Sequence, residues 1–265
     1  MNPVIVCIAK LEQDYIEEFV RYHLAIGFNK IYIYDNEDVP TYEKLLEKYL
    51  NNINVIHLPF NNYCKGVQYI ALDHFIKNYM YKDGITHIAH IDIDEFIVLK
   101  KHNNITEFIN EYIKDDCAGI GMNWRFFGSS GHTEKSNIPT TIRFTMCEEK
   151  GNMHIKTLFN VNHFVSYIEC HSIRTKPNFH IKSTNGSIIV GPFNKNIVFD
   201  VIQLNHYKSK TYPEFKYMKT RGRADLQNKS QSNNTANEDE LQFSLFDKNE
   251  IEDLYAYNFF KKILI

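Results

Sequence analysis

Asp92, Asp94 and Glu95 fall within four residues at the end of an apolar run, His87-Ile88-Ala89-His90-Ile91. Acids that close repel one another unless a positive charge sits among them. Side chains on a strand alternate with period two, so an Asp-x-Asp ending a strand sends both carboxylates to one side. Hard carboxylate oxygens select Mn²⁺ or Mg²⁺, ions that keep positions open for phosphate oxygens. The pattern therefore reads as a metal–diphosphate site. A bare Asp-x-Asp is more often a solvated turn. What favours the site here is its place at the carboxyl end of a strand, where open α/β sheets bind ligands.

A second cluster starts at His206, which ends the strand-like Ile197 to Leu204 region and is followed by Lys208, Lys210, Lys219, Arg221 and Arg223. A neutral imidazole can ligate a metal, and nearby Lys and Arg can neutralise diphosphate charge. The ordinary alternative is a buried histidine beside surface cations. Lys10 and Glu12 follow the first strand-like run, and Asp35-Asn36 follow the second. An acid after the second strand of a nucleotide-binding half commonly accepts from a ribose, yet Asp35 is equally suited to an Asx turn or a helix cap. Trp124 is the single Trp of the chain and precedes Arg125-Phe126-Phe127-Gly128-Ser129-Ser130-Gly131-His132. Its ring suits stacking on a sugar, and equally a place in the core. No glycine-rich dinucleotide or P-loop motif is present, so phosphates must be held by metal and side chains.

The elements that must position these groups alternate. Strand patterns cover Pro3 to Ala9, Lys30 to Tyr34, Asn54 to Leu58, His87 to Ile91 and Ala118 to Phe127. Helical patterns cover Asp14 to Ile26, Thr41 to Leu50, Lys65 to Tyr81 and Ile105 to Ile113. Asp14 with Glu17 resembles a capping box, and Gly27 suits the residue after a helix end. This order predicts an α/β fold with a mostly parallel central sheet flanked by helices. After Gly128 the pieces shorten to strand-like Thr140 to Cys147, His154 to Phe159 and Ile188 to Val190. The expected division is one catalytic domain over 1–226, with 1–127 as the nucleotide half and 128–226 as the acceptor half. A polar mobile loop at 227–240 and a C-terminal helical segment at 241–265 complete it, with Ile251, Leu254, Tyr255, Asn258 and Phe259 on the packed stripe.

With 30 basic and 32 acidic residues the net charge is −2, which gives no general affinity for nucleic acid or anionic membrane. No apolar run approaches the ~20 residues a membrane helix needs. Five widely spaced cysteines without zinc spacing suit reduced thiols.

Taken in order, Cys7-Ile8-Ala9-Lys10-Leu11-Glu12, Glu18, His23, Gly27, Tyr34-Asp35-Asn36, Gln68, Asp92-Ile93-Asp94-Glu95-Phe96, the run from Trp124 to His132, Lys156 and Asn205-His206-Tyr207 resemble glycosyltransferase family 92 and the related family 2-like enzymes. The resemblance spans about residues 4 to 225. It implies a GT-A fold, a nucleotide-sugar donor, a divalent metal (Mn²⁺ or Mg²⁺) and inversion at the anomeric carbon. By position, it implies that Asp92 and Asp94 bind the metal with His206 as third ligand. Lys10, Glu12 and Asp35 match the base and ribose end of the donor site, Gln68 a helix residue lining it, and Lys210 and Arg221 the diphosphate side. Two positions depart from the family: Leu11 stands where Asn is usual, and Lys210-Thr211 replaces Lys-Ser.

Inversion requires a base for the acceptor hydroxyl. Glu134, Glu148, Glu149, Glu169 and His132 lie in the acceptor half, and Glu169 and His132 are the choices; Glu95 suits support of the metal shell more than the role of base. The resulting expectation is a hexosyltransferase that moves sugar from a UDP-sugar to a glycan or glycosylated acceptor, in the cytoplasm of a bacterial or viral system. The alternatives are an inactive sugar-binding module of the same fold and a metal-dependent phosphoesterase. The first predicts a damaged acid motif, and the second more acids around two ions.

Overall fold

The computed structural model describes residues 1–59, 66–222, 224 and 236–264. Strands are β1 (Pro3–Ala9), β2 (Lys30–Asp35), β3 (Ile53–His57), β4 (His87–His90), β5 (Glu95–Leu99), β6 (Cys117–Phe126), β7 (Met146–Cys147), β8 (Ile155–Asn160), β9 (Phe164–Ile168), β10 (Ser172–Thr175), β11 (His180–Lys182), β12 (Ile188–Ile189), β13 (Ile202–His206) and β14 (Ile251–Glu252). Helices are α1 (Ile16–Ala25), α2 (Tyr42–Leu45), α3 (Val67–Phe75), α4 (Ile105–Tyr112), α5 (Thr140–Arg143), α6 (Tyr212–Lys219), α7 (Ala236–Phe246) and α8 (Tyr255–Leu264).

The central sheet runs β12-β11-β6-β8-β4-β1-β2-β3, with β13 joined to β6 and β5 joined to β13. β1 pairs in parallel with β2 and β4, β2 with β3, and β6 with β11 and β13. β8 enters antiparallel between β4 and β6, which leaves those two strands pointing the same way. The α/β fold expected from alternation is therefore the one observed. Two apolar layers flank the sheet. Ile16, Phe19 and Val20 of α1, Phe108 of α4 and Phe260 of α8 fill one, while Ala71, Leu72 and Phe75 of α3 fill the other.

Several local expectations are corrected. Asp14 and Glu17 form no capping box: α1 begins at Ile16, the Glu12 carbonyl accepts the Tyr15 and Ile16 N–H groups, and Asp14 pairs with Lys135 instead. The 41–50 region is a short α2 followed by a 3-10 turn at Glu47–Tyr49, and α3 passes into a π-helical turn at Ile76–Met80. Thr140 to Cys147 is not one strand. Glu18 of α1 accepts the N–H groups of Thr140 (2.6 Å) and Thr141 (2.8 Å), and this charge at a helix start stabilises α5 before the short β7. The expected loop at 227–240 falls outside the described residues up to 235, and 236–240 belong to α7. On α8 the packed residues are Ala256, Phe259, Phe260 and Ile263, whereas Tyr255 is half exposed. Gly27 does follow the end of α1, at φ +102°. Of the cysteines, Cys7, Cys117 and Cys147 are free thiols, and Cys64 lies outside the described residues. Among the described residues, no helix is long and apolar enough to cross a membrane.

Candidate active site

β4 ends at His90, so Asp92 and Asp94 sit on the turn into β5 rather than on a strand. The turn is closed twice: the Glu95 N–H donates to the Asp92 carbonyl at 3.0 Å, and the Asp92 N–H donates to Glu95 Oε2 at 2.9 Å. Glu95 thereby holds the acid turn closed. β5, which the sequence reading did not separate from the acids, pairs antiparallel with β13 and sets His206 opposite Glu95. That register is what brings two distant motifs together. His206 Nε2 faces Asp94 Oδ2 at 3.6 Å.

Asp92 is held differently. Lys156, on β8 and without exposure to solvent, places Nζ 3.0 Å from Asp92 Oδ2 and 3.7 Å from Glu95 Oε2. Gln68 of α3 donates from Nε2 to Asp92 Oδ1 at 3.3 Å. Burial works to raise the Asp92 pKa, but Lys156 overcomes it and holds the carboxyl below its ordinary value. For Glu95 burial wins, and its pKa is pushed well up despite the same lysine. Asp94 is also buried, yet His206, Lys210 and Arg221 together hold it well below the usual carboxylate range. His206 is pushed toward the neutral imidazole by burial, against the opposing pull of Asp94.

The strand-end residues of the first half join the same cluster. Arg221 pairs with Glu12 and donates from Nη1 to the Lys10 carbonyl at 3.2 Å. Burial raises the Glu12 pKa, with Arg221 and Lys210 opposing. Lys210 is buried, donates to the Tyr207 carbonyl at 3.2 Å and lies 4.5 Å from the Tyr15 ring centroid. Lys10 Nζ reaches Asp38 at 3.7 Å. Asp35 spends both oxygens on backbone: Oδ1 accepts from the Glu37 N–H at 3.1 Å, and Oδ2 from Thr41 at 2.7 Å and Tyr42 at 3.1 Å. Of its two sequence readings, the turn-holding one is what these contacts describe.

Both departures from the family pattern have a local reading. Leu11 adopts φ +55°, a left-handed conformation that Asn tolerates better than Leu. Thr211 keeps the hydroxyl that Ser would supply: Glu214 Oε2 accepts from its Oγ1 and its N–H at the start of α6.

Trp124, on β6, is nearly buried, and its ring meets His206 at 4.5 Å and His154 at 5.0 Å between centroids. Glu169 is exposed on the turn joining β9 and β10, at φ +52°, near enough for its charge to act on His154. His132 is anchored through Nε2 to the Arg143 carbonyl at 3.0 Å. Neither Glu169 nor His132 hydrogen-bonds to Asp92, Asp94 or His206 among the described residues. Glu148 is committed to structure, its Oε1 accepting the Phe126 N–H at 2.8 Å. Also among the described residues, no three His, Cys, Asp or Glu side chains converge closely enough to hold a metal by themselves. The site residues given no role by the sequence reading are Lys156 and His154. A lysine inside the apolar strand Ile155-Lys156-Thr157-Leu158-Phe159 was the available signal.

The α/β sheet thus gathers acids, an imidazole and cations from the ends of β1, β4, β8 and β13 into one cluster, at the edge where open α/β sheets bind their ligands. The chain matches glycosyltransferase family 92 over residues 2–245 and belongs to that family; it is a glycosyltransferase. No curated protein sequence matches it. Among solved structures, it is similar to residues 1–349 of TarS from S. aureus at 13% identity, covering 100% of this chain and 71% of that one with a TM-score of 0.38. The mannosyltransferase Ktr4p from S. cerevisiae is similar at 9% identity over 49% of this chain and 40% of that one, TM-score 0.28. Likenesses at these scores add nothing to the family assignment.

Proposed function

We propose that the chain is a metal-dependent, inverting hexosyltransferase that takes its sugar from a nucleotide donor, a UDP-sugar, and passes it to a glycan or glycosylated acceptor. The observation that carries this reading is the Asp94–His206 contact, flanked by Lys210 and Arg221 at the carboxyl end of the sheet. A carboxylate oxygen and an imidazole kept neutral by burial are a donor set that suits Mn²⁺ better than Mg²⁺, which takes oxygen ligands. A divalent cation at Asp94 and His206 would stabilise the departing diphosphate as a Lewis acid.

The protein's own residues do the rest. Lys156 neutralises Asp92 and Arg221 neutralises Glu12, so Asp94 is the carboxylate of the cluster left to face a cation. One carboxylate and one imidazole make a weak site for a divalent ion, which the donor's phosphates must complete. Lys210 and Arg221 bind the diphosphate, and Lys10, Glu12 and Gln68 line the nucleoside side. Glu169 is the base we assign: it takes the proton of the acceptor hydroxyl as that oxygen bonds to the anomeric carbon and the bond to the diphosphate breaks. Its exposure supports it over His132, whose ring is tied to the Arg143 carbonyl.

The deciding experiment is a thermal-shift series against UDP-, GDP-, CMP- and dTDP-sugars, each with Mn²⁺ and with EDTA. A ligand that binds only the folded state raises the melting temperature by mass action. The expected result is a large shift for UDP-sugar with Mn²⁺ and little for either alone. No shift with any nucleotide, from a protein that melts cooperatively, would refute the reading.

A further inference from the structure

We propose that Phe193 and His154, backed by the buried Trp124, form a subsite that holds a pyranose ring of the saccharide acceptor; the inference rests on the transferase reading above. Phe193 is 43% exposed, yet the chain around it is pinned on both sides. The Pro192 carbonyl accepts the Ile155 N–H at 3.2 Å, and the Asn194 N–H donates to the Met153 carbonyl at 2.8 Å. Beneath it, the buried Asn123 and Asn194 amides bond to each other at 2.9 Å, and Asn123 Nδ2 donates to the Asn194 carbonyl at 3.1 Å. A large apolar ring held in water by a buried amide network is already ordered, so a ligand stacking on it meets little further entropic cost.

The rings continue inward without a break. Phe193 meets His154 at 4.7 Å and 74°, His154 stacks on Trp124 at 5.0 Å and 21°, and Trp124 meets His206 at 4.5 Å. His206 then faces Asp94. A chain of ring contacts thus links the exposed Phe193, through the buried Trp124, to the histidine beside Asp94. A pyranose offers an apolar C–H face to such rings and hydroxyls around its edge, which need polar partners. Polar groups stand close by: Asn152 Oδ1 holds His154 Nδ1 at 2.7 Å, and the charge of the exposed Glu169 acts on the same histidine. The rings lie on the β6–β8 flank, across β4 from the β1–β2 strand ends that carry Lys10 and Glu12. Donor and acceptor would so reach the acid turn from its two flanks along the sheet edge.

Because Trp124 is the only tryptophan, its emission reports occupancy directly. The full chain, without metal or nucleotide, is titrated with methyl glucopyranosides, galactopyranosides and mannopyranosides and with lactose and cellobiose. The expected result is a saturable change in emission for at least one saccharide. Phe193→Ala should weaken that saccharide about tenfold, Phe193→Tyr should retain it, and both should melt like the native protein. Emission that none of these saccharides moves, or a Phe193→Ala titration matching the native one, overturns the subsite. The nucleotide-sugar thermal shift does not involve Phe193 and should survive in Phe193→Ala, so failure of the subsite and failure of the transferase reading are read separately.

Discussion

Replacing Lys156 by Met tests the electrostatic account of the site at its most buried point. The lysine has no solvent exposure and stands 3.0 Å from Asp92 and 3.7 Å from Glu95. Met keeps most of the volume and removes the charge, leaving two acids together and Asp94 two residues from Asp92. Breaking a buried pair by removing one partner costs about 3–5 kcal/mol. At about 2–4 °C per kcal/mol for a chain near this size, the melting temperature should fall by about 10 °C at pH 7. The pH dependence carries a sign. Asp92 has a depressed pKa in the native protein, so its contribution is present above the unfolded value of about 3.9 and lost as pH falls through its lower folded value. Without Lys156, Asp92 and Glu95 both move upward, protonation relieves their repulsion, and the deficit of the variant shrinks between pH 7 and pH 4. Melting by circular dichroism across that range measures both effects. Adding Asp92→Asn to Lys156→Met should recover part of the loss at pH 7. A Lys156→Met protein that melts within 2 °C of native, with a difference flat in pH, would refute the claim that this lysine holds the acid turn.

Asp94→Ala should abolish transfer and the Mn²⁺-dependent thermal shift with nucleotide sugar, while the variant still folds and melts cooperatively, at a lower temperature because His206, Lys210 and Arg221 lose their carboxylate; retained turnover would remove Asp94 from the donor site. Glu169→Gln should lower kcat by about 10²–10⁴-fold with donor binding unchanged, the range for loss of a general base, and a near-native kcat would exclude Glu169 from that role. Gly27→Ala should cost about 1–2 kcal/mol, because Gly27 lies at φ +102° and an added Cβ would approach Asn104 Cβ to 3.3 Å. Denaturant unfolding measures it, and an unchanged midpoint would contradict the strained geometry.

Much of the fold was legible because its first half is built from local signals. The apolar β-branched runs of β1, β2 and β4 and the helical periodicity of α1 and α4 state their own type, and alternation then dictates parallel order. What was not legible depends on partners far away in sequence. The β5 segment Glu95-Phe96-Ile97-Val98-Leu99 merges with the acid motif by eye, and only pairing with β13 makes it a strand. α5 exists because Glu18, more than 120 residues earlier, accepts its first N–H groups. The acids and His206 could be marked by type and position, but their partners could not. Lys156 looks like an error in an apolar strand until β8 inserts between β4 and β6 and carries its ammonium under the Asp92 turn. The same insertion explains why the cluster tolerates so many charges away from water. A buried lysine is stable where two carboxylates meet it, and two such carboxylates are stable where a lysine does. Neither motif makes physical sense alone, so a sequence that shows an apolar strand with one lysine and an apolar strand ending in acids is already indicating that the two strands are neighbours.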